Sequence, residues 1–340
     1  RALLTIDAEE CFDWQGDFSE WTVPPVNALD RVQNAAEQMG FTPLYFVSYP
    51  LLEDDAITSR LKDWIAEGRA HAGLHLHSWS TPPHGASETQ SKSSVCHGLF
   101  LASTELEHNL ADQWTPRTLA GRGERQSSDR ASSFQCRLDP NLHQQKLSVL
   151  ISLFEDRLGI APIAHRAGRY GVAPWVLDQL AQAGVPYDFS PSAGFDFSDE
   201  GGPDFSKLPA LCHRRRGPHG TSWVFPVSGA RALRRTTLFV GAQTGKLQGQ
   251  TTPVRLTPEG QSLSTMKALT RYLLKGPGPL LTPSLHLSSL VPGATPYAEN
   301  SEDAAAVLGR LTNWWNWAQE LGVRPIGLDE VVDRIILPAD

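Results

Sequence analysis

The sequence predicts an α/β fold in which a parallel sheet closes into a (β/α) barrel. Short apolar segments alternate with segments of helical periodicity through most of the 340 residues, which is typical of repeated βα units. The strand segments are almost continuously apolar, as in parallel sheets that are covered by helices. Neither a GxGxxG nor a Walker loop follows the first strand, which favours a barrel over an open nucleotide-binding sheet.

The predicted elements follow one another in a regular order. Predicted strands lie in LLTID (3–7), TPLYFVSY (42–49), RAHAGLHLH (69–77), PIAHRAGRYG (162–171), VPYDFSPSA (185–193), SWVFPVSG (222–229) and LLTPSLHLSS (280–289). Predicted helices lie at 27–39, 55–67, 143–158, 174–183, 264–275 and 302–321. Six helical patterns end at a glycine, the residue that most easily adopts the left-handed conformation of a helix C-terminus: Gly40, Gly68, Gly159, Gly184, Gly276 and Gly322.

Residues 81–133 depart from this pattern and are rich in Ser, Thr, Gly, Gln and Arg. Excursions of this length in a compact domain are usually functional lids or mobile segments, and the composition does not choose between the two. We therefore expect one barrel domain over residues 1–340 with an insertion or lid at 81–133.

The composition is that of a globular protein, with 40% hydrophobic and 20% charged residues. A formal net charge of −7 argues against nucleic acid as the main partner. No apolar run approaches the roughly 20 residues that span a bilayer. The four cysteines are far apart and form no CxxC pair, which favours isolated thiols and a cytoplasmic location.

The first strand ends in a group of carboxylates. Asp7 and Glu9 share strand parity, and Glu10 follows directly. Acidic residues at such a position can simply cap the next helix. They can also face other polar groups, because the C-terminal ends of barrel strands converge on one mouth.

Three histidines that share strand parity occur within seven residues: His71, His75 and His77. A lone histidine in a strand is more often a core residue. A same-face pair near carboxylates, however, is a frequent way to offer two imidazoles to one ion. We therefore predict that His75 and His77 bind a metal, and we interpret His71, further from the strand end, as structural.

Two further strand ends carry polar residues. Arg166 and Arg169 lie in HRAGRYG, where an arginine typically orients a carboxylate and lowers its pKa, although an exposed ion pair is the simpler interpretation. His286 lies in SLHLSSL and is consistent with a third metal ligand, a general acid or a core residue.

Taken in order, TIDAEE, GLHLHSWSTPP, RAGRYG and LHLSSLVPGATPY resemble the motifs of the polysaccharide deacetylases of the NodB-homology group, carbohydrate esterase family four, and within them the WalW-like branch. The resemblance covers roughly residues 2–83 and 134–335. It implies a distorted (β/α) barrel of about seven strands that holds a divalent metal, usually zinc, through one aspartate and two histidines.

The resemblance also implies catalytic roles. By position, Asp7 is similar to the catalytic base and Arg166 to the arginine that orients it. His286 is similar to the acid that protonates the leaving amine, and Asp188, in DFSPS, to the aspartate that tunes this acid.

The ligands implied by the resemblance are Glu9, His75 and His77. In the family, the two metal-binding histidines are four positions apart. The residue four positions after His75 is Trp79, so the second ligand is assigned to His77. The pair His71 and His75, which keeps the spacing of four, remains an alternative. The family's paired aspartates are replaced by D-A-E, so the carboxylate ligand is Glu9, with Glu10 or Asp7 as alternatives.

The implied function is metal-dependent removal of an N-acyl group, with N-acetyl the leading choice, from an amino sugar or glycan. A deformylase or cyclic-amide hydrolase on the same scaffold is one alternative, and a catalytically inactive carbohydrate-binding relative is another. Trp14, Trp21 and Trp79 lie near the predicted site in sequence, where each is as consistent with core packing as with contact to a sugar ring. The sequence does not indicate the oligomeric state.

Overall fold

The computed structural model describes residues 1–14, 18, 20–84, 132–233, 239–240 and 251–336. Most of the insertion predicted at 81–133 therefore lies outside the described residues. Among the described helices, none is both long enough and apolar enough to cross a membrane.

The strands and helices alternate along the chain. The strands are β1 (Thr5–Ala8), β2 (Cys11–Phe12), β3 (Trp21–Thr22), β4 (Leu44–Ser48), β5 (His71–Leu76), β6 (Ala164–Ala167), β7 (Tyr187–Asp188), β8 (His213–Gly217), β9 (Gly220–Val224), β10 (Gly229–Leu233), β11 (Phe239–Val240), β12 (Thr251–Arg255) and β13 (Ser284–His286). The helices are α1 (Val26–Gln38), α2 (Tyr49–Glu53), α3 (Asp55–Ala66), α4 (Pro140–Leu158), α5 (Pro174–Gln182), α6 (Leu263–Leu273), α7 (Ser301–Glu320) and α8 (Leu328–Val331).

Eight strands form one curled sheet in the order β13-β1-β4-β5-β6-β7-β9-β8. Neighbouring strands are parallel except β8 and β9, which form an antiparallel hairpin. The predicted distorted (β/α) barrel is confirmed. It is a half-barrel, because its two edge strands, β13 and β8, do not pair with each other in the described part of the chain. Two small antiparallel sheets, β11-β10-β12 and β2-β3, were not predicted.

Alternation along the strands gives the sheet two different faces. Leu4 and Ile6 of β1 belong to the larger hydrophobic core, which also contains the buried residues of the helices. Leu3 belongs to a second, smaller core with Phe46 and Phe189, on the other face of the sheet. Asp7 shares strand parity with Leu3, so the polar strand ends lie on the face of this smaller core.

Local sequence signals set several helix boundaries. The side chain of Asp54 accepts hydrogen bonds from two backbone amides in the first turn of α3, and Asp139 does the same for α4. Helix α4 ends at Gly159, whose φ of 72° is left-handed. Of the other glycines predicted to end helices, Gly276 alone lacks a positive φ. The capping pattern therefore explains most helix ends.

The cysteines differ from the expectation at one position. Cys11 and Cys212 are free, but Cys136 is disulfide-bonded, with its partner outside the described residues. The prediction of four isolated thiols is therefore wrong, and the cysteine pattern no longer supports a reducing compartment.

Candidate active site

The sheet order brings the predicted site residues to neighbouring strand ends. β13 lies beside β1, with His286 opposite Asp7 in the register. β5 lies beside β6, with His75 opposite Arg166. Only β4 separates these two pairs of strands, so residues distant in sequence meet at one edge of the sheet.

Three buried side chains form a cluster that could hold a metal ion: Glu9, His75 and His77. Glu9 Oε2 lies 3.1 Å from His75 Nε2 and 3.2 Å from His77 Nε2. Glu9 Oε1 is buried and has no hydrogen-bond partner in the described structure. A buried, unsatisfied carboxylate oxygen is costly, and a cation facing two imidazole nitrogens would satisfy it. The donor set of two nitrogens and one carboxylate therefore fits a divalent metal such as zinc.

Both histidine rings are oriented by hydrogen bonds from their other nitrogen. His75 Nδ1 donates to the backbone carbonyl of Arg166 at 2.8 Å. His77 Nδ1 donates to Glu10 Oε1 at 2.7 Å. These bonds place a proton on Nδ1 of each ring and direct Nε2 toward Glu9, as is usual for metal-binding histidines. Burial lowers the pKa of His77, but Glu10 and Glu9 raise it to about 10.

The alternative ligand His71 lies outside this cluster. It begins β5, four residues before His75, and this spacing corresponds to roughly 13 Å along a strand. Its Nδ1 lies 3.7 Å from the carboxylate of Asp329 instead. The structural interpretation of His71 therefore agrees with its position.

Arg166 holds Asp7 in place. The guanidinium is fully buried and donates from Nη1 to Asp7 Oδ1 at 2.5 Å and from Nη2 to Thr5 Oγ1 at 2.9 Å. Its Nε donates to the carbonyl of Phe189 at 3.1 Å. Burial raises the pKa of Asp7, but Arg166 in particular lowers it, to about 2. Asp7 is therefore an ionised carboxylate with Oδ1 occupied and Oδ2 turned toward His286 Nε2, 3.4 Å away.

His286 is held by Glu259, a residue that the sequence analysis missed. Glu259 Oε2 accepts from His286 Nδ1 at 2.7 Å, and Oε1 accepts from the backbone amide of the same residue at 2.9 Å. Burial lowers the pKa of His286, but Glu259, Glu9 and Asp7 raise it to about 9. The imidazole is therefore protonated at neutral pH and can act as an acid.

Contrary to the role predicted for it, Asp188 does not contact His286 in the described structure. Asp188 Oδ1 lies 2.8 Å from His165 Nδ1 and accepts a 2.6 Å hydrogen bond from Ser190 Oγ. Its strand, β7, is separated from β13 by four other strands, so its carboxylate cannot tune His286 directly. Glu259 takes that position. The sequence signal for it was weak, because a glutamate between a strand and a helix also fits a helix-capping role.

A cleft of about 1170 Å³ lies next to this site, but none of Asp7, Glu9, His75, His77 and His286 lines it. It is lined by residues from 11–14 and 20–25 on one side and from 291–299 on the other. Trp14 connects the cleft to His286, since their rings meet edge to face with centroids 4.9 Å apart. Trp14 Nε1 is buried without a described hydrogen-bond partner, and Trp21 is 38% exposed on the cleft wall. Trp79 instead stacks on His77 with ring centroids 4.2 Å apart, so it packs against the ligand cluster and does not line the cleft.

A scan against protein-family models finds no match to this sequence, and a search of curated proteins finds none either. Among solved structures, the chain is similar to a protein described as a polysaccharide deacetylase from Mycobacterium smegmatis, at 12% identity and a TM-score of 0.47 over 92% of this chain and 78% of that one. A family 4 acetyl xylan esterase from Clostridium thermocellum in complex with a cobalt ion gives 9% identity and a TM-score of 0.42 over 98% and 90% of the two chains. A 4-alpha-glucanotransferase from Thermococcus litoralis gives 10% identity and a TM-score of 0.47 over 98% and 38%. Similarity at this level does not determine activity, so the chemistry has to be inferred from the side chains.

Proposed function

We propose that this protein is a metal-dependent hydrolase that removes an N-acyl group, with N-acetyl the leading choice, from an amino sugar within a glycan. The observation that carries the proposal is that Asp7 Oδ2 and His286 Nε2 lie 3.4 Å apart next to the buried cluster of Glu9, His75 and His77. Hydrolysis of an amide at neutral pH needs a proton acceptor, a proton donor and stabilisation of the developing negative charge. The arrangement supplies groups for each.

Glu9, His75 and His77 are the residues that would hold the ion, and zinc is the metal that suits them best. Three protein ligands of nitrogen and oxygen leave one coordination position open, as in catalytic zinc sites. Polarisation of the acyl carbonyl and activation of water are the chemistry that such an ion supplies when bound.

Asp7 and His286 divide the proton transfers. Arg166 occupies Oδ1 of Asp7 and keeps the carboxylate ionised, so Oδ2 is the oxygen that accepts the proton of the attacking water. His286, whose protonated form is favoured by Glu259, donates from Nε2 to the departing nitrogen. The neutral imidazole can then take the proton from Asp7 Oδ2, since the two atoms are already adjacent. Glu259 stabilises the imidazolium in the resting state.

The cleft supports a glycan rather than a small amide as the substrate. Its volume of about 1170 Å³ exceeds that of pockets for most small ligands. Trp14 and Trp21 line the cleft, and the 38% exposed Trp21 in particular offers an aromatic face that can pack against a sugar ring. Because Trp14 contacts His286, a sugar in the cleft would lie next to the proton donor.

The test is hydrolysis by the zinc-loaded protein of N-acetylglucosamine oligosaccharides, their N-formyl analogues and a cyclic ureide, with products identified by mass spectrometry. Acetate release by the wild type, its loss in Asp7→Asn, and one zinc per chain by elemental analysis are the expected results. Turnover of only the formyl or cyclic compounds would replace the proposal with the corresponding alternative. A protein that binds the glycan without metal and releases nothing would be a binding relative.

A further inference from the structure

Glu10 is a fully buried carboxylate beside the proposed metal ligands, and the proposed reaction does not use it. Its Oε1 accepts hydrogen bonds from His77 Nδ1 at 2.7 Å and from Trp79 Nε1 at 3.0 Å. Its Oε2 accepts from Ser48 Oγ at 2.7 Å. Both oxygens are therefore occupied by donors, and Glu10 is not among the residues whose ligand atoms converge in the cluster, so it is not placed to bind the ion itself.

Several packing contacts define the plane of the His77 ring. Trp79 stacks on one face with centroids 4.2 Å apart, and Phe12 meets the ring edge to face at 5.8 Å. Gly168 lies so close that a Cβ there would overlap His77 Cδ2. These contacts fix the plane of the ring but not which of its edges points to Glu9. A half-turn about χ2 exchanges Nδ1 with Cδ2 and Nε2 with Cε1 and leaves the shape of the ring almost unchanged, so packing does not distinguish the two orientations.

The hydrogen bond to Glu10 distinguishes the two orientations. In the observed orientation Nδ1–H reaches a carboxylate and Nε2 faces Glu9 at 3.2 Å. After a half-turn, carbon atoms would face both carboxylates and leave Glu10 Oε1 with Trp79 as its remaining donor. The other ligand, His75, is held by a neutral backbone carbonyl, so a charged acceptor is specific to His77.

We propose that Glu10 is a positioning residue that fixes His77 with Nε2 available for the metal and, through its negative charge, strengthens this nitrogen as a ligand. The inference depends on the proposed metal-dependent function. Carboxylates that accept a hydrogen bond from a metal-binding histidine raise its basicity, and their loss typically lowers metal affinity roughly 10- to 100-fold.

The experiment measures the dissociation constant of zinc by competition with a chromophoric chelator, for the wild type, Glu10→Gln and Asp188→Asn. Asp188→Asn is the matched control, because Asp188 is also a buried carboxylate 2.8 Å from a histidine Nδ1, but that histidine is His165, outside the ligand cluster. We expect Glu10→Gln to weaken zinc binding roughly 10- to 100-fold and Asp188→Asn to leave it within about threefold of the wild type. Equal affinities of Glu10→Gln and wild type, with intact folding by circular dichroism, would overturn the proposal.

A second measurement does not depend on the folding of a variant. In zinc-loaded wild-type protein labelled with ¹⁵N-histidine, we expect His77 to coordinate through Nε2 and to show a protected Nδ1–H resonance. Coordination through Nδ1, or a freely exchanging Nδ1 proton, would overturn the positioning role. A wild type that binds no zinc would refute the proposed function itself. Normal zinc binding and hydrolysis with an unaffected Glu10→Gln variant would refute only the role of Glu10.

Discussion

Replacement of Glu259 by glutamine is expected to move the alkaline limit of the reaction to lower pH. His286 must be protonated to act as the acid, and Glu259 is the nearest charge that favours its protonated form. Burial lowers the pKa of His286, but Glu259, Glu9 and Asp7 raise it by more. The net result is a rise from 6.5 to about 9. This difference corresponds to roughly 3 kcal/mol in favour of the imidazolium.

The size of the shift follows from the geometry of the pair. Two unit charges about 4 Å apart interact by roughly 4 kcal/mol at an effective dielectric constant of 20. Glutamine keeps an acceptor oxygen for His286 Nδ1 but removes this charge, while Glu9 and Asp7 remain. One pKa unit corresponds to about 1.4 kcal/mol, so we expect the pKa of His286 to fall by roughly two to three pH units in Glu259→Gln.

The assay is kcat/KM for acetate release by the zinc-loaded protein between about pH 6 and pH 10, where the alkaline limb reports the pKa of the acid in the free enzyme. A bound ion adds positive charge that lowers the pKa of His286 in wild type and variant alike, so the difference between the two limbs is the quantity to compare. Asp188→Asn is the control, because Asp188 is paired with His165 and does not contact His286. Coincident alkaline limbs for wild type and Glu259→Gln would refute the assignment of His286 as an acid held protonated by Glu259.

Three further predictions concern the same site. Asp7→Asn should lower kcat/KM by roughly 10²- to 10⁴-fold while elemental analysis still finds one zinc per chain, and an active variant would exclude Asp7 as the base. Burial lowers the pKa of metal-free His77, but Glu10 and Glu9 raise it to about 10, so zinc binding at neutral pH should release a proton from this ring. Zinc affinity should therefore rise roughly tenfold per pH unit. Calorimetry in buffers of different ionisation enthalpy measures the released proton, and its absence would contradict the prediction. Gly168→Ala should destabilise the protein by about 1–3 kcal/mol in urea unfolding and weaken zinc binding, because the added Cβ overlaps His77. Gly309→Ala, inside α7 with no atom of the described residues within 4 Å of the added Cβ, should be neutral or stabilising. Equal stabilities of the two variants would show that the contact at Gly168 relaxes freely.

Strand parity was sufficient to predict most of the residues that gather at the sheet edge. Asp7, His75 and His286 each lie near the end of an apolar strand, and parallel strands bring such ends together whatever their exact order. Arg166 was found in the same way, and its contact with Asp7 joins residues 159 positions apart. Periodicity placed these residues at strand ends, and the resemblance of the four motifs supplied the roles expected of them.

Which buried carboxylate contacts which histidine could not be predicted in the same way. Asp188 and Glu259 both follow apolar segments, and nothing local indicates which one meets His286. The sheet order decides: β13 lies next to β1 and far from β7, and the loop after β12 brings Glu259 to the backbone amide of His286. Glu10 is a similar case, because D-A-E-E contains three carboxylates whose roles differ only in which way each side chain points.

The sequence by itself determined the alternation of strands and helices, the ends of most helices and the types of side chain available at the mouth of the sheet. These properties depend on local conformational preference and on periodicities of a few residues, which are visible in the chain. Only the tertiary structure decided that the sheet is an open half-barrel, that Glu9 faces His75 and His77, and that Glu259 rather than Asp188 holds His286. These contacts join distant residues, and their formation depends on the order in which the strands pair, a property of the packed sheet rather than of any local segment.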